Sequence, residues 1–140
     1  MSDQVLYLDS SAIVKVVLPE RESAALARFL PAWPLRASSA LARVEVMRAV
    51  RRLAHAPNDL RRVEDVLQRL TLLSIDAAIL EAASKLEPPL LRTLDAIHLA
   101  SAAALGSNLG GFVAYDARMA EAALRMGLRV FSPGADGTER

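Results

Sequence analysis

Two short apolar runs that each end on an aspartate constrain the fold of this chain more than any other feature. The run VLYL at Val5–Leu8 is followed by Asp9, and the run FVAY at 112–115 is followed by Asp116. Between them, short β-rich segments alternate with segments of helical spacing, which indicates parallel strands joined by helical crossovers. We therefore expect an α/β fold: a three-layer α/β/α sandwich with a central, mainly parallel sheet of four or five strands.

Turn residues and apolar spacing place the other elements. Further strands are predicted at 33–37, 72–75 and 128–131, and helices at 12–18, 22–30, 38–54, 58–70, 76–86, 91–104 and 117–126. Ser38 and Ser39 are expected to cap the third helix, and 108–111 is expected to be a loop. With 140 residues, the chain fits one domain at 1–131 with a loose polar tail at 132–140.

Composition excludes several classes of protein. The chain has no cysteine, so it can form neither disulfides nor thiolate metal sites, and its two histidines are far apart, with His55 expected in a loop. The uncharged stretch 96–115 approaches the length of a membrane span, but Gly106, Gly110 and Gly111 interrupt it as a loop would. No signal sequence is recognisable at the N-terminus, so we expect a cytoplasmic protein with no membrane partner.

Positive charge is unevenly distributed along the chain. The net charge is only +1, which makes no strong case for a nucleic-acid partner, but arginines crowd one third of the sequence. They are Arg36, Arg43, Arg48, Arg51, Arg52, Arg61, Arg62 and Arg69. They fit either contact with an RNA backbone or an acidic partner, or a solvated helix face.

Four acids are candidates for one site. Asp9 and Asp116 follow strands that would end at the same edge of the sheet, where open α/β sheets bind their ligands. Asp95 lies in the first turn of a largely apolar helix, where it either faces a cation site or interacts with the helix dipole beside a Thr93 cap. Glu45 lies near a core edge within reach of the site, or else pairs on the surface with Arg48 or Arg52.

Such acids would repel one another without a cation, and oxygen-only ligands suit Mg²⁺ or Mn²⁺. Two such ions about 3.5 to 4 Å apart can activate a water and stabilise the leaving oxygen of a phosphodiester. No GxSxG, GxxxxGK or GxGxxG motif is present, so Ser10 or Ser11 is expected to orient a metal ligand rather than act as a nucleophile.

The segments LYLDSSAIVK, SSALARVEV, LRTLDAIHLASA and VAYDARMAEAA resemble, in this order, the motifs of PIN-domain proteins of the VapC toxin type. The resemblance spans residues 5 to about 131. It implies an endoribonuclease that depends on one or two Mg²⁺ or Mn²⁺ ions, inhibits growth and is neutralised by a cognate VapB-like antitoxin. It also implies a homodimer or a toxin–antitoxin hetero-oligomer. By position, Asp9, Glu45, Asp95 and Asp116 match the acidic quartet of the family, and Ser11 and Ser38 match its small polar positions.

Two positions need separate comment. Ala114 stands where many relatives carry Thr or Ser, which removes one hydrogen bond expected near Asp116. His98 falls on the same side of its helix as Asp95, and we interpret it as a buried histidine hydrogen-bonded to backbone. Two other functions stay open from the residues: a phosphate-accepting receiver domain, and a PIN-fold binding module without activity.

Overall fold

The computed structural model describes residues 3–53 and 56–135. Its five strands form one parallel sheet in the order β3-β2-β1-β4-β5. The strands are β1 (Val5–Leu8), β2 (Arg36–Ser39), β3 (Thr71–Leu73), β4 (Leu109–Val113) and β5 (Val130–Phe131). The predicted parallel sheet of four or five strands is confirmed.

Seven α-helices connect these strands within the described ranges. They are α1 (Ser10–Val17), α2 (Ser23–Phe29), α3 (Ala42–Leu53), α4 (Asn58–Gln68), α5 (Ala77–Ser84), α6 (Thr93–Ala103) and α7 (Ala117–Arg125). Two short 3-10 turns lie at Leu30–Ala32 and Gly106–Asn108. No helix of the described chain is both long and apolar enough to span a membrane.

Alternation along the central strand β1 defines the three layers. Leu6 and Leu8 belong to the core shared with α1 to α4, while Tyr7 points to the opposite face and packs with α6 and α7. Helix α5 covers α6 through Ile79, which packs near Ile97. The predicted three-layer sandwich is therefore confirmed, and α6 is buried from Ala96 to Ala102, as its apolar sequence indicates.

The bounds of the second and third strands differ from those predicted from the sequence. The segment expected to open β2 contains Trp33, which is buried after a 3-10 turn and packs against Phe29 and Phe131. Strand β2 therefore spans Arg36–Ser39 and includes both serines expected to cap the next helix. Strand β3 ends two residues before the predicted limit.

Strand β4 starts three residues before its predicted position, inside the expected loop. Gly110 and Gly111 belong to this strand and are buried. A Cβ on Gly110 would overlap the ring of Trp33, and one on Gly111 would overlap the ring of Phe131. The two glycines were expected as turn residues, but here they make room for the aromatic side chains that close the sheet.

The predicted loose tail packs on the domain as far as it is described. The hydroxyl of Ser132 donates to the carbonyl of Ala114, and the hydroxyl of Tyr115 donates to the carbonyl of Pro133. Pro133 and Gly134 are buried. The expectation for 136–140, and the loop position expected for His55, lie outside the described residues.

We predict that Gly110→Ala lowers the free energy of unfolding by about 1 to 3 kcal/mol, because the new methyl group would overpack against Trp33. An ordinary Gly→Ala change in a strand should act in the opposite direction by reducing the entropy of the unfolded chain. Urea unfolding measures the difference, with the exposed Ser107→Ala as control. Wild-type or higher stability of Gly110→Ala would contradict the packing described above.

Candidate active site

The site lies where the strand order reverses. From β1 the chain builds the sheet outward through β2 and β3 on one side and through β4 and β5 on the other. Open α/β sheets form a crevice at such a point, outside the carboxyl ends of the strands. Asp9 directly follows β1, and its backbone N–H donates to the Val113 carbonyl at the end of β4 over 3.3 Å. Asp116 follows three residues after β4.

Asp9 and Asp116 are the N-cap residues of α1 and α7. Asp9 Oδ1 accepts hydrogen bonds from the Ala12 N–H at 2.8 Å and the Ser11 hydroxyl at 2.9 Å. Asp116 Oδ1 accepts from the backbone N–H groups of Arg118 and Met119 at 2.8 and 3.1 Å. In both acids the hydrogen bonds described for the carboxylate end on Oδ1, so Oδ2 is available to a ligand.

Glu45 is fixed in the same way by side chains from other elements. It lies in the first turn of α3, and its Oε1 accepts hydrogen bonds from the Ser10 hydroxyl and from His98 Nε2, both at 2.7 Å. The alternative of a surface ion pair with Arg48 or Arg52 is wrong, because Glu45 turns inward. Its Oε2 is the oxygen left for a ligand.

Asp95 is the third residue of α6 and is half-buried. The residue before the helix is Arg92, which makes no side-chain capping bond, and Thr93 is already helical. The expected Thr93 cap is therefore wrong. Asp95 lies in the first turn, where the helix dipole favours a negative charge, and no capping hydrogen bond is described for its carboxylate.

Burial and mutual repulsion shift the titration of the acids. Burial, with a smaller contribution from the charge of Asp95, raises the pKa of Asp9 to about 6 against the hydrogen bonds from Ala12 and Ser11. Burial also raises the pKa of Asp95, with further contributions from the charges of Asp116 and Glu45. The four acids therefore share one electrostatic environment.

Glu45 titrates in the opposite direction from Asp9 and Asp95. Burial opposes its ionisation, but the hydrogen bonds from His98 and Ser10 outweigh this effect and hold the pKa of Glu45 below its ordinary value. Glu45 is thus a carboxylate whose charge is stabilised by donors of the fold.

The supporting positions divide into two kinds. Ser11 contacts an acid directly, since its hydroxyl donates to Asp9. The Ser38 hydroxyl donates instead to the Leu8 carbonyl at 2.6 Å, so it secures the strand one residue before Asp9. Ala114 is fully buried, and Asp116 is held by the N–H groups of its own helix without a hydroxyl at position 114.

His98 is buried as interpreted from the sequence, but the backbone partners expected for its ring are wrong. Nδ1 lies 2.8 Å from the Tyr7 hydroxyl, and Nε2 lies 2.7 Å from Glu45 Oε1 and 3.2 Å from Ser10 Oγ. Burial raises the pKa of Tyr7, so this phenol keeps its proton. Sequence reasoning missed Tyr7, because its partner lies 91 residues away and no local pattern connects them.

A cleft of about 330 Å³ opens beside Asp95 and Asp116. Three arginines line it: Arg92, Arg118 and Arg125. Sequence reasoning pointed instead to the arginine-rich segment 36–69, whose members except Arg36 are exposed. Closeness in sequence to the candidate acids could have identified two of these arginines, since Arg92 precedes Asp95 by three residues and Arg118 follows Asp116 by two.

The donor set of the site fits a hard divalent cation, because it offers one available carboxylate oxygen from each of Asp9, Glu45 and Asp116, together with Asp95. In residues 3–53 and 56–135, no group of three or more His, Cys, Asp or Glu side chains is arranged so that it could hold a metal ion. Mg²⁺ does not need such a group, since it is commonly bound through one or two carboxylates and keeps several waters.

Comparison with known proteins gives one consistent family. A PIN domain profile matches residues 6–124. Ribonuclease VapC46 of Mycobacterium tuberculosis is 48% identical over 128 residues, covering 91% of this chain and 97% of the relative. Ribonuclease VapC35 of the same species is 46% identical over 134 residues, covering 93% and 98%. A chain in a toxin–antitoxin complex from Klebsiella pneumoniae has the same fold, with a TM-score of 0.62, 23% identity and coverage of 79% and 86%.

We predict that Asp9→Asn stabilises the metal-free protein at pH 7 by about 1 to 3 kcal/mol. The folded pKa of Asp9 is about 6, above its unfolded value near 3.8, so the folded state binds more protons between these values and loses stability as pH rises through this window. Asn keeps the capping acceptor without the buried charge.

Urea unfolding in the presence of a chelator at pH 7 and pH 4 measures this effect, and the gain should shrink at pH 4. Asp76→Asn is the matched control, because Asp76 caps α5 through the Ile79 N–H but is exposed. A loss of stability in Asp9→Asn at pH 7 would show that burial does not disfavour the Asp9 charge.

Proposed function

This chain belongs to the PIN-domain family and, within it, to the VapC-type ribonucleases, and we propose that it is a Mg²⁺- or Mn²⁺-dependent endoribonuclease toxin. One observation carries the proposal. Asp9 and Asp116 lie at the switch point of the sheet, electrostatically coupled to Glu45 and Asp95, and hydrogen bonds hold one oxygen of three of these acids. This arrangement suits hydrolysis of a phosphodiester.

In the proposed mechanism Asp9, Glu45, Asp95 and Asp116 surround the cation site, where one or two of these carboxylates would bind the divalent ion directly and the others would act through its waters. When bound, the ion stabilises negative charge on the phosphodiester and lowers the pKa of water. The chain itself supplies orientation: caps and side-chain donors fix the acids before RNA arrives, so little reorganisation is needed. Burial of Asp9 lowers the local dielectric, which strengthens its attraction for a cation.

The arginines of the cleft supply the contacts for the RNA backbone. Arg125 pairs with Glu121 at 3.1 Å, whereas no salt bridge to an acid is described for Arg92 or Arg118. Guanidinium groups match phosphate oxygens with paired donors. We propose that Arg92 and Arg118 bind phosphates on either side of the scissile bond. Only 4% of the residues are aromatic, so base stacking would contribute little to recognition.

The topology argues against a receiver domain. Receiver domains have the flavodoxin-like strand order 2-1-3-4-5, and this sheet has the order 3-2-1-4-5. A PIN-fold module that only binds differs from the proposed enzyme by the absence of RNA cleavage. The presence of all four acids favours the enzyme.

A cognate VapB-like antitoxin is the proposed protein partner, in a toxin–antitoxin hetero-oligomer or with the toxin as a homodimer. A groove of about 510 Å³ lies beside α1 and α2, with apolar walls that include Leu18, Leu30 and Pro31. We propose that an antitoxin segment occupies this groove and directs an arginine toward the four acids. The guanidinium of that arginine would replace the charge of the metal.

We predict that Asp9→Asn and Asp95→Asn each reduce the rate of RNA cleavage by more than about 100-fold. Even mutation of a residue that only hydrogen-bonds to a metal ligand commonly reduces activity about 10- to 100-fold. Cleavage of a fluorescent RNA with Mg²⁺ or Mn²⁺ measures the rate, and a chelator should abolish it. Asp76→Asn should cleave as the wild type does. Persistent, chelator-resistant cleavage by both site variants would refute the proposal.

We predict that Arg92→Ala and Arg118→Ala each raise the KM for RNA about fivefold to tenfold and leave kcat nearly unchanged, because each removes a charged contact with phosphate. Each should also reduce the salt dependence of RNA binding by about one phosphate contact. The exposed Arg61→Ala on α4 serves as control. A fivefold to tenfold fall in kcat with an unchanged KM would indicate that these arginines do not act through phosphate binding.

A further inference from the structure

A buried histidine, His98, connects helices α6 and α3 of the site. His98 is 2% exposed and lies on α6, one turn after Asp95. Its Nε2 contacts Glu45 Oε1 at 2.7 Å, and its Nδ1 contacts the Tyr7 hydroxyl at 2.8 Å. The helix that presents Asp95 therefore also holds the acid presented by α3.

The chemistry of the partners fixes the direction of the hydrogen bond between His98 and Glu45. A carboxylate only accepts, so the proton between His98 and Glu45 lies on Nε2. In the neutral ring Nδ1 is then the acceptor, and the Tyr7 hydroxyl donates to it. The Ser10 hydroxyl donates to the same oxygen of Glu45. Hydrogen bonds thus connect Tyr7 through His98 to Glu45.

We propose that His98 is a positioning residue for divalent-cation binding: its Nε2–H fixes Glu45 Oε1 and leaves Oε2 free for the cation. This inference rests on the proposed function. A glutamate has three rotatable side-chain bonds, and its freedom is lost on binding unless the fold removes it beforehand. His98 and Ser10 remove it in the free protein, and Tyr7 fixes the ring that does so.

The His98 ring is held by side chains of β1, α1 and α3. The described hydrogen bonds of the ring run to Tyr7, Ser10 and Glu45, and none of them runs to the backbone of its own helix. The apolar neighbour Ile97, by contrast, belongs to an apolar cluster with Ile79 on α5. Substitutions at 97 and 98 therefore separate loss of packing from loss of the Glu45 contact.

The test measures Mn²⁺ affinity of the RNA-free protein by calorimetry and by electron paramagnetic resonance of free Mn²⁺. His98→Leu should bind Mn²⁺ about 10- to 100-fold more weakly than the wild type. His98→Gln should recover most of this loss, because its amide N–H can reach the position of Nε2. Ile97→Ala should lose stability and keep its Mn²⁺ affinity. The KM for RNA should stay unchanged in His98→Gln.

Two milder variants keep the inference testable if His98→Leu does not fold. Ser10→Ala and Tyr7→Phe each remove one hydroxyl of the network, and each should weaken Mn²⁺ binding severalfold. Wild-type affinity in folded His98→Leu, or in both milder variants, would overturn the inference while leaving the proposed function intact. Equal weakening by Ile97→Ala would also overturn it. Failure of the wild-type protein to bind Mn²⁺ would overturn the metal-dependent function and this inference together.

Discussion

The parallel pairing of β1 with β4 fixes the geometry on which the site depends. Its register places Leu8 beside Val113, so that Asp9 leaves the sheet next to the end of β4. Three successive residues of the central strand then serve three purposes. Tyr7 turns toward α6 and meets His98, Leu8 packs into the opposite core, and Asp9 enters the crevice. A shift of one residue in register would exchange the faces of the sheet and separate Tyr7 from His98.

Holding four carboxylates near one another opposes folding, and the fold offsets this cost locally. Asp9 and Asp116 each cap a helix, so the bond that restrains the acid also satisfies N–H groups that would otherwise lack a partner. Glu45 receives donors from α1 and α6. Burial, together with the repulsion that remains, raises the pKa values of Asp9 and Asp95. A bound cation would relieve it, which links stability to ligand binding.

Features set by short-range sequence could be predicted, and those set by distant contacts could not. Strand β1, Asp9 at its end and the apolar helix α6 follow from local hydrophobic patterning and turn chemistry. The start of β4 depends on whether Trp33 and Phe131 fill the space above Gly110 and Gly111, which no local pattern reveals. The partners of His98 and the arginines beside the acids likewise appear only after α3, α6 and α7 converge.

The site has a buried side and an open side, and their partners differ for a physical reason. On the buried side, a permanent cation beside Glu45 would form an ion pair and repel an incoming metal ion. A histidine instead donates a hydrogen bond without requiring a fixed positive charge. On the open side, Asp95 and the exposed Asp116 line the same cleft as Arg92 and Arg118. Solvent screens the charges of these arginines, and their side chains can turn toward phosphate. His98 thus contacts Glu45 on the buried side, where the proposed cation would bind, and Arg92 and Arg118 line the open side, where the proposed RNA would enter.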